Sequence, residues 1–132
     1  MRLLLPFLLL LGVAAVPPSS IDPQRVEAEL NADADVLRSL NEHGDVPSIT
    51  RPVDVRFVGS AENVGSLEKQ IGALGWRVVQ RVHLDEGTEA LDVQRDQTTD
   101  LSAIRRLTEA ALQIETKYGV RSDGWGTVAT KR

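Results

Sequence analysis

The chain offers few residues that could do covalent chemistry, and their spacing works against catalysis. There is no cysteine, which removes thiolate catalysis, disulfides and thiolate zinc sites. The two histidines, His43 and His83, fall on different predicted elements and lack His-x-x-x-His spacing, so a metal site would need carboxylates gathered from afar. His43 beside Gly44 reads as a cation-capable residue at a helix C-terminus. His83 reads as surface. Asp123 has the chemistry of a general base, but the following Gly124 predicts an Asx-type turn, and nothing supplies a nucleophile with a base beside it. Gly72-Ala73-Leu74-Gly75 is a helix end rather than a phosphate cradle. The expectation is a protein that is not an enzyme, without cofactor or metal.

Those residues belong to one small domain. Over 132 residues the apolar share is 42% and the charged share 26%, with aromatics at only 4%, so the core must be built mainly of Val, Leu, Ile and Ala. The formal net charge of -4 argues against direct nucleic-acid binding and against an anionic membrane, and fits a basic protein partner better. Met1-Arg2, the apolar run Leu3 to Val16 and the small residues before Pro17-Pro18 fit a signal peptide over 1–15. Cleavage after Ala15 would make the protein periplasmic or secreted, with no membrane contact afterwards; a mis-assigned N-terminus would leave it cytoplasmic, and an uncleaved one would tether it to the inner membrane facing inward. Residues 16–32 then form a linker and N-terminal helical extension, and 33–130 the main domain.

Asp22-Pro23 predicts a helix start. Val26, Leu30, Leu37 and Leu40 share a stripe, but Asp33 lands in its middle, so two helical pieces are expected, the second capped near Asp33 or Asp35 and stopped at Gly44. This region, with Asp22, Glu27, Glu29, Asp33, Asp35, Glu42 and Asp45, is expected to carry an acidic face. Val53, Val55 and Phe57 alternate as a half-buried strand, and Val64, Leu67, Ile71 and Leu74 follow helical spacing to Gly75. Trp76 to Leu84 is a second strand, with Trp76, Val78, Val82 and Leu84 on one face and Arg77, Arg81 and His83 on the other. The loop from Asp85 to Thr88 makes a hairpin with a third strand from Glu89 to Asp96. Asp100 caps a last helix burying Leu101, Ile104, Leu107, Ala111, Ile114 and Tyr118. Trp125 to Thr130 completes the order as a short strand. The predicted class is α+β, a ferredoxin-like βαββαβ sandwich preceded by an N-terminal helical segment.

That fold also carries RNA-recognition motifs, and Arg56-Phe57-Val58-Gly59 has some likeness to their shorter signature. The third strand lacks the aromatic residues that would stack on bases, so ordinary core patterning is the better reading.

Asp35 to Leu40 with Gly44-Asp45, Leu74-Gly75-Trp76-Arg77-Val78, and above all Lys117-Tyr118-Gly119-Val120-Arg121-Ser122-Asp123-Gly124-Trp125-Gly126-Thr127 resemble the RraB family, regulators of ribonuclease E activity B. The resemblance covers residues 33 to 130. It implies a ferredoxin-like, non-catalytic protein inhibitor that binds the scaffold part of ribonuclease E and changes which RNAs are cut, with no cofactor. An exported chain would instead have been repurposed for an envelope protein partner. The candidate partner-binding residues are Tyr118, Asp123, Gly124, Trp125, Gly126 and Thr127, with Trp125 either a contact or a cap on the core.

Overall fold

The computed structural model describes residues 21–132. The expected signal peptide and the linker at Pro17 to Ser20 lie outside the described residues. Helix α1 (Pro23–Glu42) begins as its sequence dictates: Asp22 accepts the backbone N–H of Gln24 and Pro23 occupies the first turn. It then runs unbroken through residue 33, which corrects the expected division into two pieces. The acid on the apolar stripe is not a cap. Asp33 is buried and both its oxygens accept hydrogen bonds from other elements, so burying it does not end the helix. His43 closes α1, its Nδ1 donating to the Ser39 carbonyl at 2.7 Å.

Strand β1 (Arg51–Ser60) alternates as expected, with Val53, Val55 and Phe57 buried. Ser60 accepts the Asn63 N–H and starts α2 (Ala61–Ile71), which buries Val64, Leu67 and Ile71. Strands β2 (Arg77–Asp85) and β3 (Thr88–Gln97) form the hairpin around Glu86-Gly87. Asp100 caps α3 (Leu101–Tyr118), and Gly119, at φ 68°, ends it in the left-handed region. Leu101, expected inside, is exposed; Thr108 and Leu112 are buried on that face instead. Strand β4 (Arg121–Gly126) is last, starting and ending earlier than the expected Trp125 to Thr130.

The four strands form one antiparallel sheet in the order β2-β3-β1-β4. Its inner face, Val53, Val55, Phe57, Leu91 and Val93, packs with Val64, Leu67 and Ile71 of α2 and Ile104, Leu107, Ala111 and Ile114 of α3. The class is α+β, with three helices among the described residues. Helix α1 lies at the side, against α3 and β4.

Strand β2 departs most from expectation. Its register slips between Val78 and Gln80, and this extra residue reverses the alternation that follows. Arg77 therefore reaches Gln94 and Asp96, whereas Arg81 turns to Glu68 and the Ala61 carbonyl on α2. The two arginines do not share a face. Trp76 is buried, but Val78 and Leu84 are exposed, because β2 is an edge strand with helix cover at one end only.

A buried ion pair closes the irregular connection between α1 and β1. Arg51 and Asp45 meet at 2.8 Å with side chains 4% and 2% exposed. Arg51 also donates to the carbonyls of Ile49 and Val46, while Asp45 accepts from Thr99 and from the backbone N–H of Thr130. One carboxylate thus fixes the connection, the start of α3 and the C-terminal segment. Burial alone would raise the Asp45 pKa, but Arg51, Thr130 and Thr99 together hold it below its usual 3.8.

Arg51→Ala strands a buried carboxylate and is expected to cost about 3–5 kcal/mol in urea unfolding. Since the folded-state pKa of Asp45 is depressed, its stabilisation is complete above the ordinary carboxylate range near 3.8 and is lost as pH falls through the lower folded value. Unfolding curves from pH 7 to pH 3 should show a shallower acid loss in Asp45→Asn than in the wild type.

Candidate functional site

The Asp123-Gly124 pair does not form a turn between elements. It is a bulge inside β4: Val55 pairs with Trp125 and Phe57 with Ser122, so Asp123 and Gly124 together oppose Arg56. Gly124 takes φ 79°, which a side chain would resist, and this bend puts Trp125 on the same side of the sheet as Val55. Asp123 is exposed near Arg56, which makes a bidentate pair with Asp92 at 2.7 and 2.9 Å. Gly126 pairs with Asp54, and Thr127 donates to the Pro52 carbonyl at 2.7 Å.

Trp125 is half-buried against the core, and its indole N–H donates to Asp33 at 2.9 Å. The other Asp33 oxygen accepts the Thr108 hydroxyl at 2.6 Å. One buried carboxylate therefore joins α1, α3 and β4. A second polar clamp lies alongside. Arg25 of α1 grips both Glu115 oxygens at 3.0 and 2.9 Å and donates to the Ser122 carbonyl, while Glu115 accepts the Ser122 N–H at 2.8 Å. Burial would raise the Glu115 pKa, but Arg25 and the Ser122 N–H bring it below its usual value, and Glu115 in turn raises that of Arg25. Sequence reasoning singled out neither Arg25 nor Glu115. The signal for Asp33 is present in the sequence, an acid inside an apolar stripe, but read locally it marks a helix boundary rather than a buried acceptor.

The expected acidic face is thereby reduced. Asp33 and Asp45 are buried, and Glu29 pairs with Arg25. The candidate contact residues are also divided. Tyr118 lines a groove of about 250 Å³ with Leu74, Trp76, Ala110, Gln113, Ile114 and Lys117, between α3 and the end of α2. Asp123, Gly124, Trp125 and Gly126 border a recess of about 370 Å³ that also takes in Asp54, Arg56, Val79 and Asp92. There Arg56 pairs with Asp92, to which Gln80 also donates, and Gln94 donates to Asp54, while Asp54 and Asp123 have no cation within 4.0 Å among the described residues. His83 stands 3.9 Å from Glu89 at the rim of β2, away from His43 at the end of α1. Among the described residues no group of three His, Cys, Asp or Glu side chains is placed to hold a metal ion.

A small α+β domain with an apolar groove on one side and an ion-paired open sheet face on the other has the surfaces of a binding module. The family model RraB, described as Regulator of ribonuclease activity B, matches residues 30–127, from α1 to β4, and the chain belongs to that family. The Regulator of ribonuclease activity B of Xenorhabdus nematophila is 26% identical to it over 113 residues, covering 80% of this chain and 79% of that protein. The resemblance carried by Lys117 to Thr127 thus holds at family level. The residues that carry it do structural work: a bulge, a hydrogen-bonded tryptophan and a strand end.

Asp33→Ala leaves the Trp125 N–H and the Thr108 hydroxyl without their partner, at an expected cost of about 1–3 kcal/mol for each group left buried. Trp125→Phe removes the same bond from the other side. A double-mutant cycle of the two in urea unfolding should give a coupling of about 0.5–3 kcal/mol, whereas additive effects would mean the bond contributes little.

Proposed function

We propose that this chain is a non-catalytic regulator that acts by binding a ribonuclease as a protein partner, without contacting RNA itself. The observation that carries the reading is the family match, which runs from α1 to β4 and therefore covers the elements that Asp33 joins. The net charge of -4 supports contact with protein over RNA. Ribonuclease E is the first partner to test, on the resemblance in Lys117 to Thr127. The strand order β2-β3-β1-β4, with α2 linking β1 to β2 and α3 linking β3 to β4, favours a ferredoxin-like reading of the fold. The proposed domain of residues 33–130 contains only the second half of α1, whose first half is tied to it through Arg25 and Glu115.

A second reading follows from the apolar run Leu3 to Val16: an exported domain whose partner is an envelope protein. Fractionation of the native host with N-terminal sequencing separates the two. A periplasmic chain starting near Val16 favours export and removes a cytoplasmic ribonuclease as partner.

The direct test mixes the purified full chain with ribonuclease E of the same host. The expected result is co-purification and a dose-dependent fall in the cleavage rate of a fluorescent RNA substrate. No association, with unchanged cleavage at saturating chain, would refute the ribonuclease reading.

A further inference from the structure

The arginines divide into those already engaged and those left over. Arg25, Arg38, Arg51, Arg56, Arg77 and Arg81 each have a carboxylate within 4.0 Å. Lys69, Arg95, Arg105, Arg106, Lys117, Arg121, Lys131 and Arg132 have none among the described residues. Three of these fall beside one feature, the groove that Tyr118 lines: Lys117 is in its lining, Arg95 lies over its Trp76, and Arg106 precedes its Ala110 by one helical turn. Arg106, Ala110, Gln113 and Lys117 follow one another at helical spacing along α3, and the last three line the groove. Arg95 stacks 4.4 Å over Trp76, which forms the opposite wall. Its Nε bonds only to the neutral Gln97, and burial together with nearby Arg106 lowers its pKa. Lys117 stands 5.6 Å from the Tyr118 ring at the other end.

Between the cations the lining is apolar: Leu74, 42% exposed, with Ala110 and Ile114. From Arg106 to Lys117 the stripe spans about 16 Å, the length of about three helical turns. Glu109, on the adjoining side of α3, pairs with neither Arg105 nor Arg106 within 4.0 Å.

We propose that this groove is the docking site for an acidic, amphipathic segment of the protein partner, with one or two large apolar side chains over Leu74, Ala110 and Ile114 and carboxylates at Arg95, Arg106 and Lys117. The inference rests on the binding role proposed above and names its surface. Local charge complementarity decides the occupant, against the basic partner that the net charge of -4 alone suggests. A basic segment would meet uncompensated cations, and the open sheet face has already matched Arg56 and Arg77 with its own acids. A nucleic acid would find a chain of net charge -4 and, of the groove's two rings, Trp76 only 4% exposed and already covered by Arg95, which leaves Tyr118 beside Leu74, Ala110 and Ile114 for stacking. A helix laid in an apolar groove, steered by charges at its rim, uses what is present.

The test pans a library of displayed 16-residue peptides on the full chain, then measures the selected peptides by fluorescence anisotropy. Three variants are compared: Arg106→Glu/Lys117→Glu at exposed positions, Ala110→Trp to fill the groove, and Asp54→Asn on the open sheet face as control. Near-UV circular dichroism verifies each fold, and the exposed charge reversal remains informative should Ala110→Trp misfold. The expected outcome is enrichment of peptides with Asp or Glu flanking Leu, Phe or Trp, binding that falls at least tenfold in the groove variants, and no change in Asp54→Asn. Selection of basic peptides, no selected peptide, equal binding by the charge-reversed variant, or tighter binding of a single-stranded RNA 12-mer would each overturn the proposal. Co-purification with the ribonuclease, run on the same variants, separates the two claims. Capture undiminished by charge reversal refutes the groove and keeps the regulator reading; selected groove peptides without ribonuclease capture do the reverse.

Discussion

The buried carboxylate of Asp33 is the interaction on which the arrangement of this domain depends. An acid at the middle of an amphipathic helix can be buried only if other elements supply donors, and here α3 gives the Thr108 hydroxyl and β4 the Trp125 indole N–H. Neither donor is placed by chance. Gly124 must take a positive φ for the β4 bulge to aim Trp125 inward, and Thr108 must sit on the buried side of α3 rather than its solvent side. The Arg25–Glu115–Ser122 clamp repeats the logic about two turns earlier along α1. A helix with a modest apolar stripe is thereby held by polar bonds whose geometry admits one docking, which gives specificity of arrangement more than raw stability.

The same economy of charge shapes the surface. Acids that would have formed an acidic face are drawn inward at Asp33 and Asp45 or matched at Glu29, and six of the arginines are spent on carboxylates of the chain itself. What remains uncompensated has directional value, because an unpaired cation beside exposed apolar surface gains from a partner that a paired one cannot attract. The open sheet face is polar, and its Arg56 and Arg77 are paired with its own acids. The groove beside α3 is apolar with unmatched cations at its ends.

Much of the fold was legible in the sequence. Alternation at Val53, Val55 and Phe57, helical spacing in α2 and α3, and caps at Asp22, Ser60 and Asp100 are local signals, and the structure uses them locally. What escaped was decided by distant residues. Asp33 looked like a cap because its partners lie 75 and 92 residues away. The β2 bulge placed Arg77 and Arg81 on different faces, and no pattern within β2 announces it. The family was legible in Lys117 to Thr127, yet this stretch mixes two roles: Tyr118 lines the groove, whereas Gly124, Trp125 and Thr127 hold β4 in place. A motif names a family more readily than it names a contact surface.

The most direct measurement is native-state amide hydrogen exchange across α1 in the wild-type chain. If Asp33 and Arg25 make α1 part of the folded unit, its central amides should exchange only with opening of α3 and β4, at a similar free energy and with similar denaturant dependence. Central α1 amides that exchange freely while α3 and β4 stay protected would show α1 to be a detachable extension and would contradict the account.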